Sequence, residues 1–100
     1  MKKQVIYISG KITGLDINVA KDNFKTAVDF VNKEMDFQPL NPFDIVEQDD
    51  SLQWIDYMRA DIKALVDCDA ILMLPDWVES DGAKLELLIA QGLKMKVYHL

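Results

Sequence analysis

The chain has 100 residues, half of them hydrophobic and 28% charged, the balance of one globular domain over residues 1–100 rather than of a disordered segment. Its net charge is −6, and its eleven Lys and Arg residues are scattered, with only Lys2 and Lys3 adjacent; this argues against a polyanion-binding surface, so no nucleic-acid polymer is expected as a partner. The lone Cys68 excludes an internal disulfide and a paired Cys/His zinc site, and the apolar run after Met1-Lys2-Lys3 covers only Val5 to Ile8, too short for a signal peptide or a membrane span.

In chain order, Val5-Ile6-Tyr7-Ile8 is a β-branched and aromatic run closed by Ser9-Gly10, the pattern of a buried strand entering a loop. From Asn18 to Met35, Ala20, Phe24, Ala27, Val28, Val31 and Met35 recur at three- and four-residue steps, which predicts an amphipathic helix capped by Asp16 or Asn18. Phe37-Gln38-Pro39-Leu40 reads as a second strand, placed at a sheet edge because Pro39 has no N–H to give to a ladder. A loop from Asn41 to Ser51 follows, then a second helix with Ile55, Met58, Ile62, Leu65 and Val66 on one face and Asp50 or Ser51 as its cap.

Ala70-Ile71-Leu72-Met73-Leu74 shows no alternation, as expected of a central parallel strand covered on both faces. Pro75 to Glu79 reads as a loop, and a third helix starts at Ser80 or Asp81 and ends near Gly92, before a last strand at Val97-Tyr98-His99-Leu100. The resulting βαβαβαβ order, with right-handed crossovers, predicts an α/β fold: a three-layer, doubly wound, four-stranded parallel sheet in the flavodoxin-like order 2-1-3-4.

Such sheets bind ligands beyond the carboxyl ends of their strands, beside the switch between the first and third strands. Three loops meet there: Ser9 to Gly14, Asn41 onward, and Pro75 to Ser80. Gly10 to Gly14 is not GxGxxG, and Gly10-Lys11 lacks both the upstream glycine and the following hydroxyl of a Walker A loop, so no dinucleotide or other cofactor is expected.

Glu86 is the one charge in Leu85-Glu86-Leu87-Leu88-Ile89-Ala90, whose apolar residues surround the helix and predict burial on most sides. A buried carboxylate needs partners or a task that uses its perturbed pKa, whereas an edge glutamate reaching solvent would need neither. The pattern leaves both readings open. Ser80 stands six residues earlier, followed by Asp81 and the side-chain-free Gly82. N–H groups at this helix start can hold an anion, although Asp81 opposes one, and an ordinary N-cap explains Ser80 equally. At about 1.5 Å rise per residue, Glu86 lies roughly 9 Å along the axis from Ser80.

Asp61 forms with Trp54, Tyr57 and Leu65 a stripe adjoining the core face of the second helix, and reads either as a group pointing into a cleft or as a solvated charge near Arg59 or Lys63. Trp77 could stack on a ring or cap a core edge. Cys68 and His99 fit no nucleophile motif and read as structural.

Together, Tyr7-Ile8-Ser9-Gly10-Lys11-Ile12-Thr13-Gly14, Asp61 with Asp69 eight residues on, and Ser80-Asp81-Gly82-Ala83-Lys84-Leu85-Glu86 resemble the nucleoside 2-deoxyribosyltransferase superfamily, over nearly the whole chain. The nearest members are its small, often phage-associated deoxyribosyltransferase-like proteins, with deoxynucleoside 5′-monophosphate N-glycosidases among the relatives. The resemblance implies that Glu86 is the nucleophile, Asp61 the carboxylate engaging the nucleobase and Tyr7 the residue that orients Glu86. It also implies substrate contacts from Ser9, Gly10, Lys11, Ser80 and Gly82, to which stacking of Trp77 on the base would add. Ser80 matches the phosphate-binding serine of the monophosphate glycosidases, whereas Thr13 stands where those enzymes carry an arginine.

The implied activity is cleavage or transfer of the N-glycosidic bond of a nucleoside or its 5′-monophosphate through a glutamyl-glycosyl intermediate. A non-catalytic nucleotide-binding or sensor module with the same pocket is the alternative, and a ligand-free interaction domain using the acidic surface with Trp54 or Trp77 is a third. A cytoplasmic location, no metal, and a homo-oligomer of two or more copies complete the expectations; a chain this short buries little more than roughly 60% of its unfolded surface, so a neighbouring copy would help close a cleft.

Overall fold

The computed structural model describes residues 3–100, so Met1 and Lys2 of the basic start lie outside the described residues. Strand β1 (Val5–Ser9) leads through the loop 10–16 to helix α1 (Ile17–Glu34), edge strand β2 (Gln38–Leu40), helix α2 (Trp54–Leu65), strand β3 (Ala70–Met73), helix α3 (Asp81–Gly92) and strand β4 (Lys96–His99). Two 3₁₀ turns, Pro42–Asp44 and Trp77–Glu79, sit inside segments that the sequence marks only as loops. All three strand pairings are parallel and the order is β2-β1-β3-β4, so the α/β fold and its 2-1-3-4 order are those expected.

Alternation along the strands divides the core in two. Ile6, Ile8, Ala70 and Leu72 pack on Phe24, Ala27 and Val31 of α1, while Tyr7, Ile71 and Met73 pack on Leu65 of α2 and Ala83, Leu87 and Ala90 of α3. One helix therefore covers one face and two cover the other, as right-handed crossovers require when the chain runs one way from β1 to β2 and the other way from β2 through β3 to β4. Asp69 fastens the start of the central pair: its carboxylate accepts the Val5 N–H at 2.8 Å, while its own N–H donates to the Val5 carbonyl at 2.9 Å.

The helix starts show where capping chemistry was legible. Asp16 caps α1, accepting from the N–H groups of Asn18 and Val19, and the Ser80 hydroxyl caps α3 by accepting from Ala83 N–H at 3.1 Å. For α2, neither Asp50 nor Ser51 serves. The chain makes an additional turn in which the Asp49 carboxylate accepts from the N–H and hydroxyl of Ser51, and Gln53 becomes the N-cap, its N–H donating to Asp56 at the third helical position at 2.9 Å.

Helix α3 departs from the expectation of burial on most sides. Ala83, Glu86, Leu87 and Ala90 are buried, but Leu85 is 37% and Leu88 66% exposed. No helix among the described residues is long and apolar enough to cross a membrane.

Candidate active site

Glu86 enters the site from the first half of α3, on the same side as Ala83 and Ala90, and reaches one face of β1. Residues 7 and 9 of that strand share one face, so two hydroxyls stand side by side beneath the helix. Tyr7 Oη donates to Glu86 Oε2 at 2.6 Å and Ser9 Oγ donates to Oε1 at 2.7 Å. These are the lengths of charge-assisted O–H···O⁻ bonds. Tyr7, Ser9 and Glu86 are 0, 1 and 5% exposed, so the edge-glutamate reading does not apply to Glu86.

Ser9 thus differs from its expected part. Its hydroxyl is buried and committed to Glu86 rather than presented to a substrate.

Asp61 is the second acid here, buried on the inner face of α2 rather than solvated beside Arg59 or Lys63. Burial, and then the charge of Glu86, raises its pKa to about 7. Burial likewise raises Glu86 to about 7, against the pull of the hydrogen bonds from Tyr7 and Ser9. Tyr7 is pushed well above its usual value, first by burial and then by the neighbouring Glu86 and Asp61 charges, so it stays a neutral hydrogen-bond donor. Cys68 is different in kind: burial and the flanking acidic residues Asp69 and Asp67 raise its thiol to about 11, and it donates to the Ala64 carbonyl, which leaves it inert.

Asp61 and Glu86 line one cavity of about 380 Å³, within the size range of small-ligand sites. Gly10, Thr13 and Gly14 come to its wall from the loop after β1, Ile17 from α1, Pro42 and Phe43 from the turn after β2, and Ser80, Gly82 and Ala83 from the start of α3. Trp54, Tyr57 and Met58 of α2 also line it, together with Val46 and Gln48 and the loop residues Ile12 and Leu15.

Close approach requires glycine at position 10 and leaves little room at position 82. A Cβ on Gly10 would stand 2.7–2.9 Å from three atoms of Leu74, and one on Gly82 would stand 3.0 Å from Met58 Sδ. Gly14 holds φ +89° at the turn of the first loop, which favours glycine.

Lys11 and Trp77 are not among the cavity's lining residues. The Lys11 N–H donates to Asp76 at 3.1 Å, tying the first loop to the third, and Trp77 packs on the core edge with its ring 6.0 Å from that of His99. No Lys or Arg lines the cavity among the described residues, and no cluster of metal-ligating side chains occurs among them. Trp54 and Tyr57 reach the cavity from the α2 stripe that carries Asp61; Phe43, which completes an aromatic wall with them, carries no signal in the sequence and is brought there by the crossover from β2 to α2.

Residues 4–99 match the family model described as Domain of unknown function (DUF4406). No curated protein matches the chain. Among solved structures, a 2-desoxiribosyltransferase from Leishmania mexicana superposes with a TM-score of 0.65 at 24% sequence identity, covering 97% of this chain. The chain spans 63% of that protein's length, and the likeness is one of fold.

Proposed function

The chain belongs to the family described as a domain of unknown function (DUF4406), and we propose that it cleaves or transfers the N-glycosidic bond of a nucleoside through a covalent glycosyl-Glu86 intermediate. The observation that carries this reading is the grip on Glu86: a buried carboxylate held on both oxygens by Tyr7 and Ser9 at the wall of a cavity that also contains Asp61. A structural acid gains nothing from facing a ligand-sized space beside a second acid. A nucleophile and a proton donor need that placement. The fold likeness to a protein titled a 2-desoxiribosyltransferase agrees with the reading.

In the first step a Glu86 oxygen attacks C1′ of the sugar. The C1′–N bond breaks, its electron pair goes to the base nitrogen, and Asp61 in its acid form gives the base a proton. The product is a glycosyl ester on Glu86 and a free base. In the second step a water or an incoming base attacks C1′ from the other side. The ester C–O bond breaks, Glu86 regains its charge, and Asp61 takes back a proton. Water makes the reaction a hydrolysis and a base makes it a transfer.

An unphosphorylated nucleoside suits the cavity better than its 5′-monophosphate. The lining carries two carboxylates and, among the described residues, no cation. The Ala83 N–H at the start of α3 is already taken by the Ser80 hydroxyl, and Asp81 in the first turn opposes an anion there. A homo-oligomer remains part of the proposal, with the exposed Leu85 and Leu88 of α3 as the apolar face for a second copy to cover; light scattering is expected to give at least the dimer mass.

The test is incubation with a panel of 2′-deoxynucleosides, ribonucleosides and their 5′-monophosphates, followed by chromatography for free base. Release from a nucleoside that is abolished in Glu86→Ala supports the proposal. Binding without release supports a sensor instead.

A further inference from the structure

The two acids of the cavity receive unequal hydrogen-bond support, and the difference lies in β1. Glu86 accepts two hydroxyl donors, one on each oxygen. Asp61 accepts none from any described residue, and only burial and the charge of Glu86 act on it. When two interacting carboxylates hold one proton between them, the proton resides on the acid whose anion is less well solvated by donors.

We propose that Ser9 is a positioning residue: its hydroxyl, acting with that of Tyr7, places the shared proton of the pair on Asp61, so that Glu86 is the first of the two to ionise. This rests on the reading of Glu86 as nucleophile and Asp61 as acid, and it adds what assigns those roles.

Tyr7 alone would leave Oε1 of Glu86 unsolvated inside the protein, and the cost of an unmatched buried anion would draw the proton toward Glu86. Ser9 is placed for this task by strand register. It is the last residue of β1, two positions after Tyr7 and paired with Met73 of β3, so both hydroxyls reach α3 from one side of the sheet. The groups that bear on Glu86 and Tyr7 are few. They are Asp61 from α2, Ser9 and Tyr7 from β1, and Cys68, which adjoins Tyr7 from the loop before β3. With its thiol raised by burial, Cys68 stays neutral across the range in which the acids titrate. No other described group competes for the pair's proton.

The test is a ¹³C NMR titration of the full chain labelled at the side-chain carboxyl carbons of Asp and Glu, with Glu86→Gln and Asp61→Asn to assign the two signals. The native protein is expected to show Glu86 ionising in the lower of two coupled steps. In Ser9→Ala the Glu86 step is expected to move up by about one pH unit, a tenfold change in its ionisation constant, as loss of one charged hydrogen bond predicts. Ser9→Thr keeps the hydroxyl and is expected to restore the native order.

Asp61 ionising first in the native protein overturns the proposal without any variant, and an unchanged Glu86 step in Ser9→Ala overturns it as well. The titration needs no turnover. Absence of base release would refute the glycosidic reading alone, so the two fail separately.

Discussion

Replacing Glu86 by Gln should make the protein more stable, and the gain should depend on pH. Burial raises the Glu86 carboxyl from 4.5 to about 7, so the folded protein binds this proton more tightly than the unfolded chain does. The stability this contributes is fully present below pH 4.5 and is lost as pH rises through 7. Between pH 5 and pH 8 the native protein should lose about 2–3 kcal/mol from this group, at about 1.36 kcal/mol per pH unit.

Gln is close in shape, cannot ionise, and can still accept one of the hydroxyl donors. Urea unfolding of Glu86→Gln at pH 8 should therefore give a free energy about 2–3 kcal/mol above native, with the same m value and a difference near zero to 1 kcal/mol at pH 5. For a 100-residue domain, each kcal/mol corresponds to roughly 4–8 °C in Tm. A variant less stable than native at pH 8, or one with the native pH dependence, would refute the view that Glu86 is strained by burial.

Three further outcomes follow from other parts of the molecule. Asp61→Asn removes the proton donor and should slow base release by about 10²–10⁴-fold at unchanged fold, measured as kcat on the best nucleoside of the panel. Gly10→Ala drives a methyl into the Leu74 side chain, including its Cβ at 2.9 Å, and should lower unfolding free energy by about 1–3 kcal/mol in urea titrations. Lys94 holds φ +60° between α3 and β4 on an exposed turn, so Lys94→Gly should raise Tm by a few degrees, about 0.5–1 kcal/mol of relieved strain.

Most of the fold was legible because each element carries its own period. Phe24, Ala27 and Val31 repeat at helical steps, the run from Ala70 to Leu74 is apolar throughout, and Pro39 marks an edge. The α2 cap was not legible, because Gln53 is a weak capping residue and becomes one only after the Asp49–Ser51 turn redirects the chain. The outer face of α3 misled in another way. A helix apolar on all sides reads as buried on all sides, yet Leu88 faces solvent in the single chain.

At the site, the isolation of Glu86 and the two-residue spacing of Tyr7 and Ser9 are visible in sequence. What Ser9 touches is not. A hydroxyl at the end of a strand serves a ligand or a neighbouring carboxylate equally well, and only the crossing of α3 over β1 decides between them. Trp77 and Lys11 illustrate the reverse: both lie in loops at the correct end of the sheet, but one side chain is used by the core edge and the other residue by a loop-to-loop tie.

A covalent glycosyl-Glu86 intermediate is open to mass spectrometry of the protein incubated with a 2′-fluoro-2′-deoxynucleoside, whose electron-withdrawing fluorine slows hydrolysis of a glycosyl ester. A sugar-mass adduct is expected that maps to Glu86 in the digested α3 peptide and is absent in Glu86→Ala. Release of base without any adduct on Glu86, or an adduct on another side chain, would contradict it.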